Sequence, residues 1–153
     1  MNTKSISKYT AKDLYELFSD LYIEKYNKEY ESVWFIGNEM KGLKEGIDNY
    51  GASSMACAIL NCIKANDKVV NIPYLIAGLK YYLVEYNPDI YWAVHKFGDE
   101  NAKKLWRKYL LLDAIWFPSA TQKIELEDVV KRLKKYANEK IKASGKAPTK
   151  KKN

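Results

Sequence analysis

Residues 34–51 read WFIGNEMKGLKEGIDNYG. Ile36, Met40, Leu43, Ile47 and Tyr50 recur at i, i+4, i+7, i+11 and i+14, which is one face of a helix rather than the alternation of a strand. Gly51 follows the last apolar position, where a helix ends most easily on a residue without a Cβ. The spacing predicts a helix over Trp34–Asn49. Gly42 and Gly46 lie inside it, and each costs about 1 kcal/mol against Ala. Two readings of them stand open: close approach of a second helix, or tolerated exposed positions.

The same period extends in both directions. Upstream, Thr10-Ala-Lys-Asp13 resembles a capping box with Asp13 in place of the usual Glu or Gln. Leu14, Leu17, Phe18, Leu21, Tyr22 and Tyr26 then predict a helix over 11–30. Downstream, Met55, Ala56, Ile59, Cys62 and Ile63 form the apolar face of a helix over 53–65. Asn71 reads as an N-cap and Pro73 as a first-turn proline, opening a helix to about Tyr86. Asn87-Pro88-Asp89 breaks the pattern and starts a short helix, Pro88–Phe97, that Gly98 ends. Asp99 caps a sixth helix carrying Leu105, Tyr109, Leu112, Ile115 and Trp116, and Pro118 stops it. Residues 119–122 read as a loop in which Thr121 or a neighbour caps the last helix. That helix sets Leu126, Val129, Val130, Leu133, Tyr136 and Ala137 on one side and Lys131, Arg132, Lys134 and Lys135 on the other. Val69–Ile72 is the best strand candidate and is too short to found a sheet.

These patterns predict an all-α fold: a single compact domain of six or seven helices over residues 10–142. Residues 1–9 read as a flexible N-terminus. Residues 143–153 read as a disordered Lys-rich tail, because nothing in that stretch can bury surface. At 153 residues the length suits one domain, and 47% apolar residues suffice for a core.

No run of 18 apolar residues occurs, and residues 1–9 lack the apolar centre of a secretory signal. Cys57 and Cys62 lie five apart, about 140° around a helix, so they read as two small buried hydrophobes rather than a pair. The expectation is a cytoplasmic protein with no membrane partner.

The charge is uneven. Residues 131–153 hold ten basic residues and one acid, a balance of +9; residues 1–130 hold 16 basic and 18 acidic residues, a balance of −2. A basic body is therefore excluded, and the basic character belongs to the C-terminal end. Lysines on a terminal arm attract phosphate without reading sequence. The candidate nucleic-acid-binding residues are Lys131, Arg132, Lys134, Lys135, Lys140, Lys142, Lys146, Lys150, Lys151 and Lys152. The competing reading is a tail that only solubilises.

Little else carries chemistry. His95 is the one histidine, too few for a two-histidine zinc site. Its place near a helix C-terminus favours the charged form and a capping or structural role. Neither GxGxxG nor GxxxxGK[ST] occurs. Glu125, Glu127 and Asp128 open a helix, where acids complement the dipole, and Asp113 reads as facing solvent. No enzyme activity, metal or cofactor is expected. Tyr81, Tyr82, Tyr86, Tyr91, Trp92 and Trp106 crowd residues 81–106. Three roles fit them: core filling, a protein interface, or a platform on which single-stranded bases stack.

The cadence of Leu14-Tyr-Glu-Leu-Phe18, Tyr26-Asn-Lys-Glu-Tyr30 and Leu43-Lys-Glu-Gly-Ile-Asp-Asn-Tyr-Gly51 resembles helical domains of small bacteriophage replication proteins, of the replisome-organiser and helicase-loader kind. The resemblance spans about residues 11–66. It implies a phage or mobile-element accessory protein that binds DNA and another replication protein. It transfers no individual functional residue. The alternatives are a protein-binding host-takeover or anti-defence factor, and a virion or packaging component.

Overall fold

The computed structural model describes residues 5–144. Among them lie eight α-helices and no strand: α1 Ala11–Tyr26, α2 Ile36–Tyr50, α3 Ala52–Ala65, α4 Ile72–Ala77, α5 Leu79–Tyr82, α6 Pro88–Trp92, α7 Glu100–Asp113 and α8 Ala120–Ser144. A 3-10 turn, Ile6–Lys8, precedes α1, and a π-turn, Ala93–Phe97, extends α6.

Helix α3 is the hub. Every residue from Met55 to Leu60 is buried, as expected of a helix that is apolar all round. It packs against α1, α2, the 3-10 turn, α4, α5 and α6. Helices α7 and α8 form an antiparallel pair that closes on α6 and the π-turn. Trp92, Trp106, Val129, Leu133 and Ala137 are buried at that end.

The capping residues act as the sequence implies. Thr10 Oγ1 accepts from the Asp13 N–H at 3.3 Å while Asp13 Oδ2 accepts from the Thr10 N–H at 2.8 Å. Asn71, Asn87 and Asp99 each accept from the N–H three residues on. At α8 the expectation is corrected: the helix begins at Ala120, inside the stretch read as a loop, and the cap is Ser119 rather than Thr121, its Oγ accepting from the Gln122 N–H while Gln122 Oε1 accepts from the Ser119 N–H. Gly51 joins α2 to α3 at φ +89°, a value that side chains with a Cβ strongly disfavour.

Several expectations are corrected. The first helix ends at Tyr26 instead of residue 30, because Asn27 takes the left-handed conformation at φ 62°. The chain then turns Tyr30 back against Phe18, with ring centroids 4.9 Å apart, and against Tyr22 at 5.2 Å. The predicted fourth helix splits at Gly78 and stops at Tyr82, and this split raises the number of helices to eight. The α2 stripe is buried only at its centre: Leu43 is enclosed, whereas Ile36 and Tyr50 are exposed. The N-terminal segment is more than a flexible lead, since Ile6 is buried within the core. The expected disorder of the tail concerns residues that lie, from 145 on, outside the described ones.

Gly42 and Gly46 mark close approach. A Cβ on Gly42 would come within 2.4 Å of Ile76 Cδ1 on α4, and one on Gly46 within 2.4 Å of Met55 Cε on α3. Both cysteines are buried. Cys57 Sγ donates to the Pro88 carbonyl at 3.2 Å, and burial pushes its thiol up to about 12. Burial likewise pushes Cys62 up to about 11. No helix among the described residues is long and apolar enough to cross a membrane.

Candidate nucleic-acid interface and docking surface

Helix α8 buries one stripe and exposes the other. Val129, Leu133, Ala137 and Ile141 are in the core, while Lys131, Arg132, Lys134, Lys135, Lys140 and Lys142 are all exposed. At 100° per residue, Lys131, Lys134, Lys135 and Lys142 fall within an arc of about 100° and span about 16 Å of axis. Among the described residues none of these four has an acid within ion-pair distance. Arg132 lies about 60° beyond that arc and pairs with Asp128, its Nε 3.0 Å from Oδ2. Lys140 lies off the face, its Nζ 5.6 Å from the centre of the Tyr136 ring. Lys146, Lys150, Lys151 and Lys152 belong to the residues outside the described range.

Helix α7 adds basic residues that sequence reasoning missed. Lys104, Arg107 and Lys108 are exposed. Lys108 Nζ reaches Glu125 Oε2 at 3.2 Å, which sets α7 beside the start of α8. The spacing 104, 107, 108 carried the signal, but the denser charge run after residue 130 outweighs it. Glu125 and Asp128 both form ion pairs with basic residues. Asp113 is exposed, as its place in the sequence implies.

A second surface was not anticipated. Val33, Trp34, Phe35 and Ile36 are four consecutive exposed apolar residues, with Phe35 84% exposed. A run of this kind on a folded surface is a liability unless it binds something. The loop is held firmly. Glu39 is fully buried, and its Oε2 accepts from the Val33 and Trp34 N–H groups at 2.7 and 2.8 Å. Its Oε1 accepts from the Tyr30 hydroxyl at 2.8 Å. The Tyr30 oxygen in turn accepts from the Ile72 N–H at 3.0 Å, tying the loop to the start of α4. Burial raises the Tyr30 phenol above its ordinary value, and the bond to Glu39 adds to this. Tyr15 and Ser32 share a hydrogen bond of 2.5 Å. Trp34, Phe35, Gly42, Glu45 and Ile76 line a groove of about 920 Å³ beside this loop.

Phe35 is also the N-cap of α2, and it makes no side-chain cap bond. Phe cannot cap, whereas Ser in the same extended conformation can. Phe35→Ser is therefore expected to raise stability by about 0.5–1 kcal/mol, read from the midpoint of denaturant unfolding. A loss of stability would mean that Phe35 packs on the body and is not free to bind a partner.

The aromatic run 81–106 divides between roles. Trp92 and Trp106 are core residues, whereas Tyr81 is 90% exposed. His95 stacks on Tyr91 at 4.0 Å and meets Trp106 edge-on at 6.0 Å between ring centroids. Its Nδ1 lies 3.0 Å from the Tyr91 carbonyl oxygen. The expected preference for the charged form is corrected. Burial pushes the imidazole below its usual value, the Tyr91 carbonyl opposes this, and Lys64 and Lys103 lower it further. Lys64 Nζ donates to the His95 carbonyl at 2.7 Å. No protein-family model, curated protein or solved structure matches this chain.

Proposed function

We propose that this protein is a non-enzymatic accessory factor in DNA replication or a related DNA transaction of a phage or mobile element. It holds nucleic-acid phosphates on the exposed face of α8 and the lysines beyond it. It docks on a protein partner through Val33–Ile36 and the adjoining groove. The observation that carries this reading is the one-sided α8. Its apolar stripe is committed to the core, so Lys131, Lys134, Lys135 and Lys142 stand outward on a rigid rod. Lysines on a helix face suit a regular phosphate backbone and read no bases. The anchored loop supports the protein-binding half, because a surface ordered before binding loses little entropy on binding.

The test is the salt dependence of binding to single- and double-stranded DNA and to RNA, followed by fluorescence anisotropy. With about five phosphates neutralised, the slope of log K against log salt on duplex DNA is expected near −4 to −5. Removing residues 144–153 deletes Lys146, Lys150, Lys151 and Lys152, and it should flatten the slope while leaving the melting temperature unchanged. Absence of salt-sensitive binding at about 50 mM salt, where screening is weak, would sink the nucleic-acid half. The rigid apolar loop would then favour a second reading, a protein-binding host-takeover or anti-defence factor whose tail only solubilises.

A further inference from the structure

Two consecutive aromatic rings stand in water at the connection between α7 and α8: Trp116 is 89% exposed and Phe117 91%. Leu111 at 72% and Ile124 at 68% join them. The Ala114 N–H donates to the Leu110 carbonyl and the Ile115 N–H to the Leu112 carbonyl, each at 3.2 Å, so the connection follows directly on the last turn of α7. At its other end the Lys123 N–H donates to the Ser119 carbonyl at 2.9 Å. The Lys108–Glu125 ion pair holds the end of α7 beside the start of α8. At 1.5 Å of rise per residue, Leu111 and Ile124 each lie within about 6 Å of the connection along their helices, so the four side chains share one tip of the hairpin. The two rings alone leave on the order of 400 Å² in water. With Leu111 and Ile124 the tip reaches roughly 600–700 Å², at or above the largest apolar patch of an ordinary monomer, about 300–600 Å².

We infer that this tip is a self-association surface, and that a second copy of the chain covers it in a two-fold symmetric dimer. A standard interface removes about 800 Å² of surface from each partner, so the apolar tip and its polar rim supply the area that one such contact needs. The rim charges suit a second copy. Arg107 and Lys104 lie four and seven residues before Leu111, on the same face of α7. Both are exposed, and among the described residues neither has an acid within ion-pair distance. Glu127 and Asp128 lie three and four residues after Ile124 on α8. Asp128 is paired with Arg132, whereas Glu127 is exposed and has no basic residue within ion-pair distance among the described residues. In an isologous contact the same surface meets itself, so the basic α7 edge of each copy faces the acidic α8 edge of the other. Acids on the rim repel phosphate, which makes a nucleic acid or an anionic lipid surface a poorer fit to this tip than a second copy. Pro118 restricts the backbone of Phe117, so that ring loses less freedom on docking. The inference uses neither the lysine face of α8 nor the Val33–Ile36 loop.

The test is sedimentation equilibrium of the full chain, free of nucleic acid, from about 1 to 100 μM. The mass is expected to rise from that of one chain toward that of two, with its midpoint at or below about 10 μM, since interfaces of this size hold at micromolar concentration or tighter. Trp116→Ser and Phe117→Ser should each weaken association on the order of 30-fold, as loss of a central aromatic anchor does. Both should leave the far-ultraviolet helical signal unchanged, because neither ring is packed in the core. Arg107→Glu and Glu127→Arg should each weaken association about fivefold, and the two together should recover most of the loss. Phe35→Ser, on the other apolar surface, should leave it unchanged. A chain that stays monomeric at 100 μM overturns the inference, as does association that survives both ring variants or that Phe35→Ser abolishes. A monomeric chain that binds a short thymidine oligonucleotide, or vesicles of phosphatidylserine and phosphatidylcholine, and loses that binding in Trp116→Ser also overturns it and assigns the tip to bases or to lipid. None of these results bears on the α8 reading, which is tested through lysines on another part of the surface.

Discussion

Glu39→Ala is expected to destabilise the protein by about 3 kcal/mol, which lowers the melting temperature by roughly 6–12 °C for a domain of this size. The carboxyl group is fully buried and accepts three hydrogen bonds, from Tyr30, Val33 and Trp34. Alanine leaves all three donors without their partner, and each orphaned donor costs about 1 kcal/mol or more. Glu39→Gln separates the causes. Its one carbonyl oxygen can serve the two backbone N–H groups, while its amide faces the Tyr30 hydroxyl, which can accept. The loss should then be about 1 kcal/mol. In the alanine variant, amide exchange at Val33 and Trp34 should accelerate far more than in the centre of α3. Equal melting temperatures for the Ala and Gln variants would show that Glu39 does not anchor the loop.

Reversing Lys131, Lys134 and Lys135 to Glu is expected to weaken nucleic-acid binding on the order of 100-fold at low salt. The slope against salt should fall by about three units on duplex DNA, one for each phosphate that is no longer neutralised. The three residues are exposed, so stability should change little, apart from repulsions of about 0.5 kcal/mol each between residue 131 and Glu127 one turn earlier and between residue 135 and Glu139 one turn later. The control reverses Lys41, Lys68 and Lys80, all exposed on other elements, which changes net charge by the same amount. If both triple variants weaken binding equally, net charge alone is responsible and the α8 face is not a site.

Helix existence was legible because the apolar period is local. Thr10, Asn71 and Asp99 announced their helix starts, and each makes the cap bond its residue type implies. What stayed hidden depends on packing between distant residues. Tyr30 continues a helical pattern in the sequence, yet its ring is drawn back against Phe18 and Tyr22, and Asn27 supplies the left-handed turn that permits it. The Ile36–Tyr50 stripe predicted burial along its length, but α1, α3 and α4 cover only its centre, so its ends remain exposed. Most of the candidate basic face was readable, since Lys131, Lys134, Lys135 and Lys142 share the exposed side of one helix. The Val33–Ile36 surface was missed because an apolar run before a helical stripe reads as more of the same core.

The two enclosed cysteines make this chain convenient for site-directed labelling. With thiols held near 12 and 11, almost no nucleophilic thiolate is present at neutral pH, and neither sulfur is open to a reagent. A cysteine introduced at an exposed position such as Lys123 or Lys44 will react with a maleimide dye while the native pair stays silent. Distances from α8 to the Trp34 loop can then be followed by energy transfer in a chain that keeps all of its original core.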